Sequence, residues 1–239
     1  MADEKNIVLI VDDNEFFLSQ QISCLGRERF DIHTASSGKQ AIDKARSVNP
    51  DLILLDQIME DMMGLDVCRI LKADPATAHI PVIIVSSGER EASRLQLAAA
   101  GFDGIIFKPI RRNQTLALVE AFLGIAVRSW ARASVSLPCT AIWEGTGKEG
   151  TIHSLGGGGA FISGNITPVK GDMCQIRFSL PDSGAGEREV EVRDALVVWL
   201  GELDDTSHQG IGIKFLTIKQ DDQEAIDRYV ASLLNSAET

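Results

Sequence analysis

Five short apolar runs recur through the first half of the chain, each followed by an amphipathic stretch, and this alternation constrains the fold more than any other feature. The runs cover residues 7–11, 30–34, 52–55, 81–85 and 104–107. All but the weaker run at 30–34 are rich in Val, Ile or Leu with almost no polar alternation, the pattern of a strand buried on both faces of a parallel sheet. Helical patterns follow them near 15–26, 39–48, 65–72, 92–100 and 115–123. Five βα units in a row predict a doubly wound α/β domain: a five-stranded parallel sheet with helices on both sides, flavodoxin-like in order.

The texture changes after Gly124. Strand-like runs at 134–143, 151–152, 160–162, 173–180, 190–200 and 211–215 alternate with Gly- and Asp-bearing turns. Many short strands at this spacing predict a small antiparallel β-barrel or sandwich. A last amphipathic helix is expected near 221–234, with Asp221, Asp222 and Glu224 in its first turn, where the helix dipole favours acids. The expected domains are therefore 1–124 and 125–239.

Charge narrows the function. The chain of 239 residues carries a net −11. Residues 1–124 hold 13 Lys and Arg against 18 Asp and Glu, and residues 125–239 hold 10 against 16. Neither half has the basic footprint that a phosphate backbone requires, so no nucleic-acid partner is expected. The first apolar run is too short for a signal peptide, and no segment has the apolar length to span a bilayer. Cys24, Cys68, Cys139 and Cys174 lack metal-ligand spacing, which predicts unpaired, mostly buried thiols in a reducing compartment. A cytoplasmic protein with no membrane partner is the expectation.

Open α/β sheets bind ligands outside the carboxyl ends of their strands. There the sequence sets Asp12 and Asp13 after the first strand and Asp56 at the end of the third. Ser86 and Ser87 end the fourth, and Lys108-Pro109 the fifth. Three carboxylates make a hard oxygen site suited to Mg²⁺. Asp56 can attack a phosphoryl group, Lys108 can neutralise its oxygens, and Ser86 can donate to it. Singly, each of these has a plain alternative as a turn or a solvated acid; their order along five βα units is what is specific.

With Ile10-Val-Asp-Asp13, Asp56-Gln-Ile-Met-Glu-Asp-Met-Met-Gly64, Val85-Ser-Ser87 and Phe107-Lys-Pro109, residues 5–124 resemble the receiver domain of two-component response regulators. The resemblance implies that Asp56 is the phosphoacceptor from a histidine kinase. It makes Asp12, Asp13 and Asp56 ligands of Mg²⁺ together with the Ile58 carbonyl, Ser86 the switch hydroxyl and Lys108 the phosphate contact. It implies no enzyme beyond the domain's own phosphoryl transfer; a phosphatase is the rival reading, without a second acid or base beside Asp56. Two positions depart from the family: Glu60 stands where Pro is usual, and Ile105 where an aromatic usually follows the switch hydroxyl inward. Ile105 cannot make that rotamer change, so a homodimer would be constitutive or carried by the segment leading into Arg128.

In the second half, Arg128 and Arg132 lie four apart in an acidic module, either as two surface arginines or as an anion clamp that forks onto phosphates and stacks on purines. Gly156-Gly-Gly-Gly159 is either a plain hairpin loop or a place where backbone approaches a ligand closely. With Arg128-Ser-Trp-Ala-Arg132, Ala195-Leu-Val-Val-Trp199 and Gly210-Ile-Gly-Ile-Lys-Phe215, residues 126–235 resemble a PilZ domain, the cyclic di-GMP receptor module. By the ungapped register Ser154 takes the family's Asp/Asn position, Gly156 its Ser and Gly159 its final Gly; a gapped register keeps Ser154 as the Ser, with Gly157 as its Gly. Neither supplies the acid or amide that reads a guanine edge. The expected function is a response regulator phosphorylated on Asp56 whose output domain binds cyclic di-GMP, at Arg128, Arg132, Ser154, Gly156 and Gly159. The alternative is an adaptor, blind to the nucleotide, whose second domain binds an effector protein.

Overall fold

The computed structural model describes residues 5–87, 101–125, 131–143, 145–165, 168–182, 186–203 and 208–236. The chain divides into two compact units, one ending at Ile125 and the other beginning after it.

In the first unit β1 (Ile7–Val11), β2 (Asp31–Ala35), β3 (Leu52–Asp56), β4 (Val82–Ser86) and β5 (Gly104–Phe107) form a parallel sheet in the order β2-β1-β3-β4-β5. Helices α1 (Glu15–Leu25), α2 (Gly38–Val48), α3 (Gly64–Ala73) and α4 (Arg112–Phe122) connect and cover them. The helix expected near 92–100 lies outside the described residues. All five residues of β3 and of β4 are buried, which is why these runs lack polar alternation. The order reverses at β1, between β2 and β3, and the carboxyl ends of β1 and β3 open on one crevice.

Local chemistry fixes the helix starts. The Asn14 side chain accepts from the amides of Phe16 and Phe17 and caps α1; Ser37 accepts from the Gln40 amide and caps α2. Helix α1 stops at Gly26, whose φ of 83° suits a residue without Cβ.

The second unit is a closed barrel of six antiparallel-paired strands followed by a helix. Its strands are β6 (Arg132–Trp143), β7 (Thr146–Gly156), β8 (Gly159–Gly164), β9 (Met173–Asp182), β10 (Gly186–Leu203) and β11 (His208–Ile218), in the order β10-β11-β8-β7-β6-β9. Inward residues such as Ala141, Ile152, Ile162, Ile176, Val192 and Ile213 fill the barrel. Helix α5 (Gln220–Ser236) adds Ala225, Ile226 and Val230 to that core. All four cysteines are buried and none is in a disulfide, and burial pushes the Cys68 thiol to about 11 and those of Cys139 and Cys174 to about 12.

The glycine stretch is a tight hairpin: Gly156 pairs with Gly159 across Gly157 and Gly158. Gly156 and Gly159 do not sit at positive φ. What they supply is clearance. A Cβ on Gly159 would fall 2.1 Å from the Ile213 carbonyl oxygen of the neighbouring strand. Gly159→Ala should therefore force β8 and β11 apart and cost about 1–3 kcal/mol, as overpacking does. Urea unfolding should show a lower midpoint at an unchanged slope; an unchanged midpoint would mean that the strands yield freely.

Candidate functional site

The turn after β1 builds the site from its own backbone. The Asn14 amide that begins the α1 cap donates to Asp12 Oδ1 at 3.0 Å, so the cap and the carboxylate hold one another. Asp12 is 1% exposed, and its second oxygen accepts from Gln21 Nε2 on α1 at 3.1 Å. Asp56, at the end of β3, is also buried. Each of Asp12, Asp13 and Asp56 offers a carboxylate oxygen, and the three oxygens lie within 4.8 Å of one another. Lys108 projects from the segment after β5 and places Nζ 2.7 Å from Asp56 Oδ1 and 3.5 Å from Asp12 Oδ2. The same ammonium sits 3.9 Å from the centre of the Phe17 ring, a cation–π contact that fixes its approach. Ser86, fully buried at the end of β4, donates its hydroxyl to Gln57 Oε1.

Electrostatics follow from this crowding. Burial raises the Asp12 pKa; the Asn14 amide pulls it back, the Asp56 charge raises it again, and Lys108 opposes both. One ammonium against three carboxylates leaves a surplus of negative charge among oxygen donors, a set that fits Mg²⁺.

The loop after β3 is pinned at several points. The Ile58 amide donates to Asp56 Oδ2 at 3.2 Å. The Glu60 amide donates to Asp13 Oδ2 at 2.8 Å, a bond that a proline at this position could not make. Asp61 accepts from the amides of Gly38 and Lys39 at the start of α2, and the Gly38 bond holds its carboxyl below the usual range. Gly64 closes the loop where a Cβ would lie 2.1 Å from the Asp56 carbonyl oxygen.

The structure thus brings Asp12, Asp13, Asp56 and Lys108 together, with Ser86 and Ile58 on adjoining elements. Gln21 and Gln57 escaped the sequence reading. The signals were a glutamine on the inward side of an amphipathic helix and another directly after a buried strand. Ile105 is fully buried in β5, paired beside Ile84.

In the barrel, Arg128 lies outside the described residues. Arg132 opens β6, exposed, directly opposite Gly156 on β7. A Cβ at Gly156 would meet the Ala131 carbonyl oxygen at 2.8 Å and Arg132 Cγ at 2.9 Å. Ser154 pairs with Ser134 on β6 and with Phe161 on β8, beside a bulge. The Phe161 ring packs at a tilt against Trp199, 5.5 Å between centres; Trp199 is 40% exposed, and Gly212 lies under its Cβ.

Residues 8–120 match the family model of the response regulator receiver domain, and residues 126–232 that of the PilZ domain. The chain therefore belongs to the response regulators, as a receiver domain followed by a PilZ domain. Among curated relatives, the response regulator PleD of Caulobacter vibrioides is 38% identical over 103 residues, 43% of this chain but only 23% of PleD. The transcriptional regulatory protein ResD of Bacillus subtilis is 30% identical over 176 residues, 73% of this chain and 71% of its own. The DNA-binding response regulator MtrA of Mycobacterium leprae is 32% identical over 200 residues, 80% of this chain and 78% of its own. DNA binding is in that relative's name; here the second half matches the PilZ model. Among solved structures, a response regulator from Chloroflexus aurantiacus aligns over 51% of this chain and 99% of its own, at 20% identity and a TM-score of 0.49. No described helix is long and apolar enough to cross a membrane.

Proposed function

We propose that a histidine kinase phosphorylates Asp56 and that the PilZ domain answers by binding cyclic di-GMP. The observation that carries the first part is the Asp12, Asp13 and Asp56 cluster with Lys108 on Asp56 at 2.7 Å. Asp12, Asp13, Asp56 and the Ile58 carbonyl would hold Mg²⁺, which supplies charge neutralisation to the phosphoryl oxygens. A carboxylate oxygen of Asp56 attacks phosphorus as the bond to the donor's leaving atom breaks. Lys108 then balances the new charge, and Ser86 turns its hydroxyl from Gln57 to a phosphoryl oxygen. Incubation with acetyl phosphate and Mg²⁺ should add one phosphate by intact mass, and Asp56→Ala should add none. Equal labelling of that variant would refute the assignment.

For the output domain, Arg128 and Arg132 supply forked contacts to phosphate and a surface on which a purine can stack, with Ser154, Gly156 and Gly159 lining the approach. The second reading, an adaptor that binds an effector protein instead, is favoured by one observation: the position opposite Arg132 is Gly156, with no side chain to read a base. Titration calorimetry with cyclic di-GMP separates the two, since the adaptor gives no heat.

A further inference from the structure

The C-terminal helix and the barrel flank a pocket, open to solvent on one side, that the receiver–PilZ reading leaves unused. Ala225, Arg228, Tyr229 and Ser232 follow one another at helical spacing along one face of α5. Opposite them stand Leu180 and Pro181 of β9 and Arg188 of β10. The space between is about 150 Å³. Cavities of roughly that size admit a molecule as large as benzene, so a tetrahedral anion fits with a few carbon atoms to spare.

The polar groups around it are donors. Arg188 gives Nη2 to Asp222 Oδ1 at 3.1 Å, and this buried carboxylate holds the guanidinium in place from the side of the helix start. Its Nε is buried and meets no acceptor among the described residues. Arg228 is 69% exposed and reaches Glu224 only at 3.9 Å, too far for a hydrogen bond. Tyr229 adds a hydroxyl, the Ser232 hydroxyl donates to the Tyr229 carbonyl oxygen at 2.7 Å, and Leu180, Pro181 and Ala225 make the rest of the wall apolar. Among the described residues no carboxylate lines the pocket itself, in a chain of net charge −11.

We propose that this cavity is a binding site for a phosphate group. Two guanidiniums and the Tyr229 hydroxyl match the several oxygens of a phosphate. The apolar wall suits the carbon stem of an organic phosphate, and inorganic phosphate shares the same chemistry at the donors. Asp222 lies behind Arg188 and holds it, so the ligand is recognised through shaped hydrogen bonds more than through net charge. The site needs neither Asp56 nor Arg132.

The test is a titration of the full chain, in chelator to keep divalent cations from the acidic cluster, followed by the Arg188 Nε–H resonance and the Tyr229 amide. Inorganic phosphate and phenyl phosphate serve as probes, with sodium chloride at matched ionic strength as control. Both resonances should move saturably with phosphate and not with chloride. Arg228→Gln, at an exposed position that the fold tolerates, should weaken binding about tenfold or more, the scale of a charge-assisted hydrogen bond. Arg188→Lys keeps a cation on Asp222 but loses the fork, and should weaken it likewise. Asp56→Ala should bind as the wild type does. Tighter binding of phenyl phosphate assigns the site to organic phosphates and equal binding assigns it to free phosphate; either outcome upholds it. Shifts that chloride reproduces, or binding that survives both arginine changes, would overturn it.

Discussion

Asp12→Asn should raise the thermal midpoint of the magnesium-free protein by a few degrees and, in the same variant, remove the response to Mg²⁺. Burial, and then the nearby Asp56 charge, push the Asp12 pKa up against the pull of the Asn14 amide and Lys108. A carboxyl whose folded pKa exceeds its unfolded one binds more protons in the native state. Stability is then lost as pH rises from the ordinary carboxylate range through the raised value. Asparagine does not ionise, so that loss disappears above this window. The replacement gives up only the long contact from Lys108 at 3.5 Å and keeps the other two hydrogen bonds. Its oxygen can accept from the Asn14 amide, and its new Nδ2 can donate to Gln21 once that amide flips, because Gln21 Oε1 is buried with no partner. For Mg²⁺ the change works the other way. Wild type should gain stability with added Mg²⁺ by mass action, increasingly so at pH values where Asp12 is ionised. The variant loses one of three anionic donors, so its affinity should drop by at least the roughly 10–100-fold that even outer-sphere changes cost. Thermal unfolding across a pH series, with and without Mg²⁺, reads both effects. A variant that is less stable at neutral pH without Mg²⁺ would show that Asp12 is held mainly by Lys108, 3.5 Å away, and not strained by burial.

Much of the receiver was legible because its strands are buried on both faces, so side chains alone mark them. Two strands shifted by one residue, from 81–85 to Val82–Ser86 and from 30–34 to Asp31–Ala35, and the second of these runs began with Phe30. That ring is buried before the strand starts, and hydrophobicity does not tell a buried loop residue from a strand residue. The acidic cluster was legible because strand ends fall at predictable places in a doubly wound sheet. What holds it was not. The Glu60 amide on Asp13 and the Asp61 bracket on α2 join backbone amides to carboxylates far away in sequence, and no residue pattern announces them.

The barrel was harder for a related reason. Strand β7 runs over Thr146–Gly156, whereas only residues 151–152 read as strand. Its first half, Thr146-Gly-Lys-Glu-Gly150, is exposed and glycine-rich, and is held as a strand by its pairing with β6. Likewise β10 begins at Gly186, four residues before its first inward valine, because β9 carries it through backbone bonds. A ladder with one wet face can extend through polar residues that have no strand preference of their own.

The same ladder decides what the glycine motif can become. Reading the sequence alone, Ser154→Asp with Gly156→Ser rebuilds the family pattern and should tighten cyclic di-GMP. The structure gives the opposite expectation for the second change. Gly156 lies directly across from Arg132, and a Cβ there meets the Ala131 carbonyl oxygen at 2.8 Å and the Arg132 side chain at 2.9 Å. The arginine stem can swing aside, but the carbonyl belongs to the backbone that leads into β6. Gly156→Ser should therefore cost about 1–3 kcal/mol of barrel stability and tilt Arg132 away from any ligand it serves. Under the proposed function Arg132→Ala removes a charged hydrogen bond to phosphate, about 1.5–3 kcal/mol, or roughly ten- to a hundredfold in affinity. Ser154→Asp alone has no such conflict and should bind cyclic di-GMP at least as well as the wild type. Calorimetry on the three variants, with urea unfolding of each, orders them: Ser154→Asp at or above wild type, then Gly156→Ser, with Arg132→Ala the weakest. Tighter binding by Gly156→Ser at undiminished stability would show that the Ala131 backbone yields. Binding unaffected by Arg132→Ala would remove the arginine from the site and leave the adaptor reading in its place.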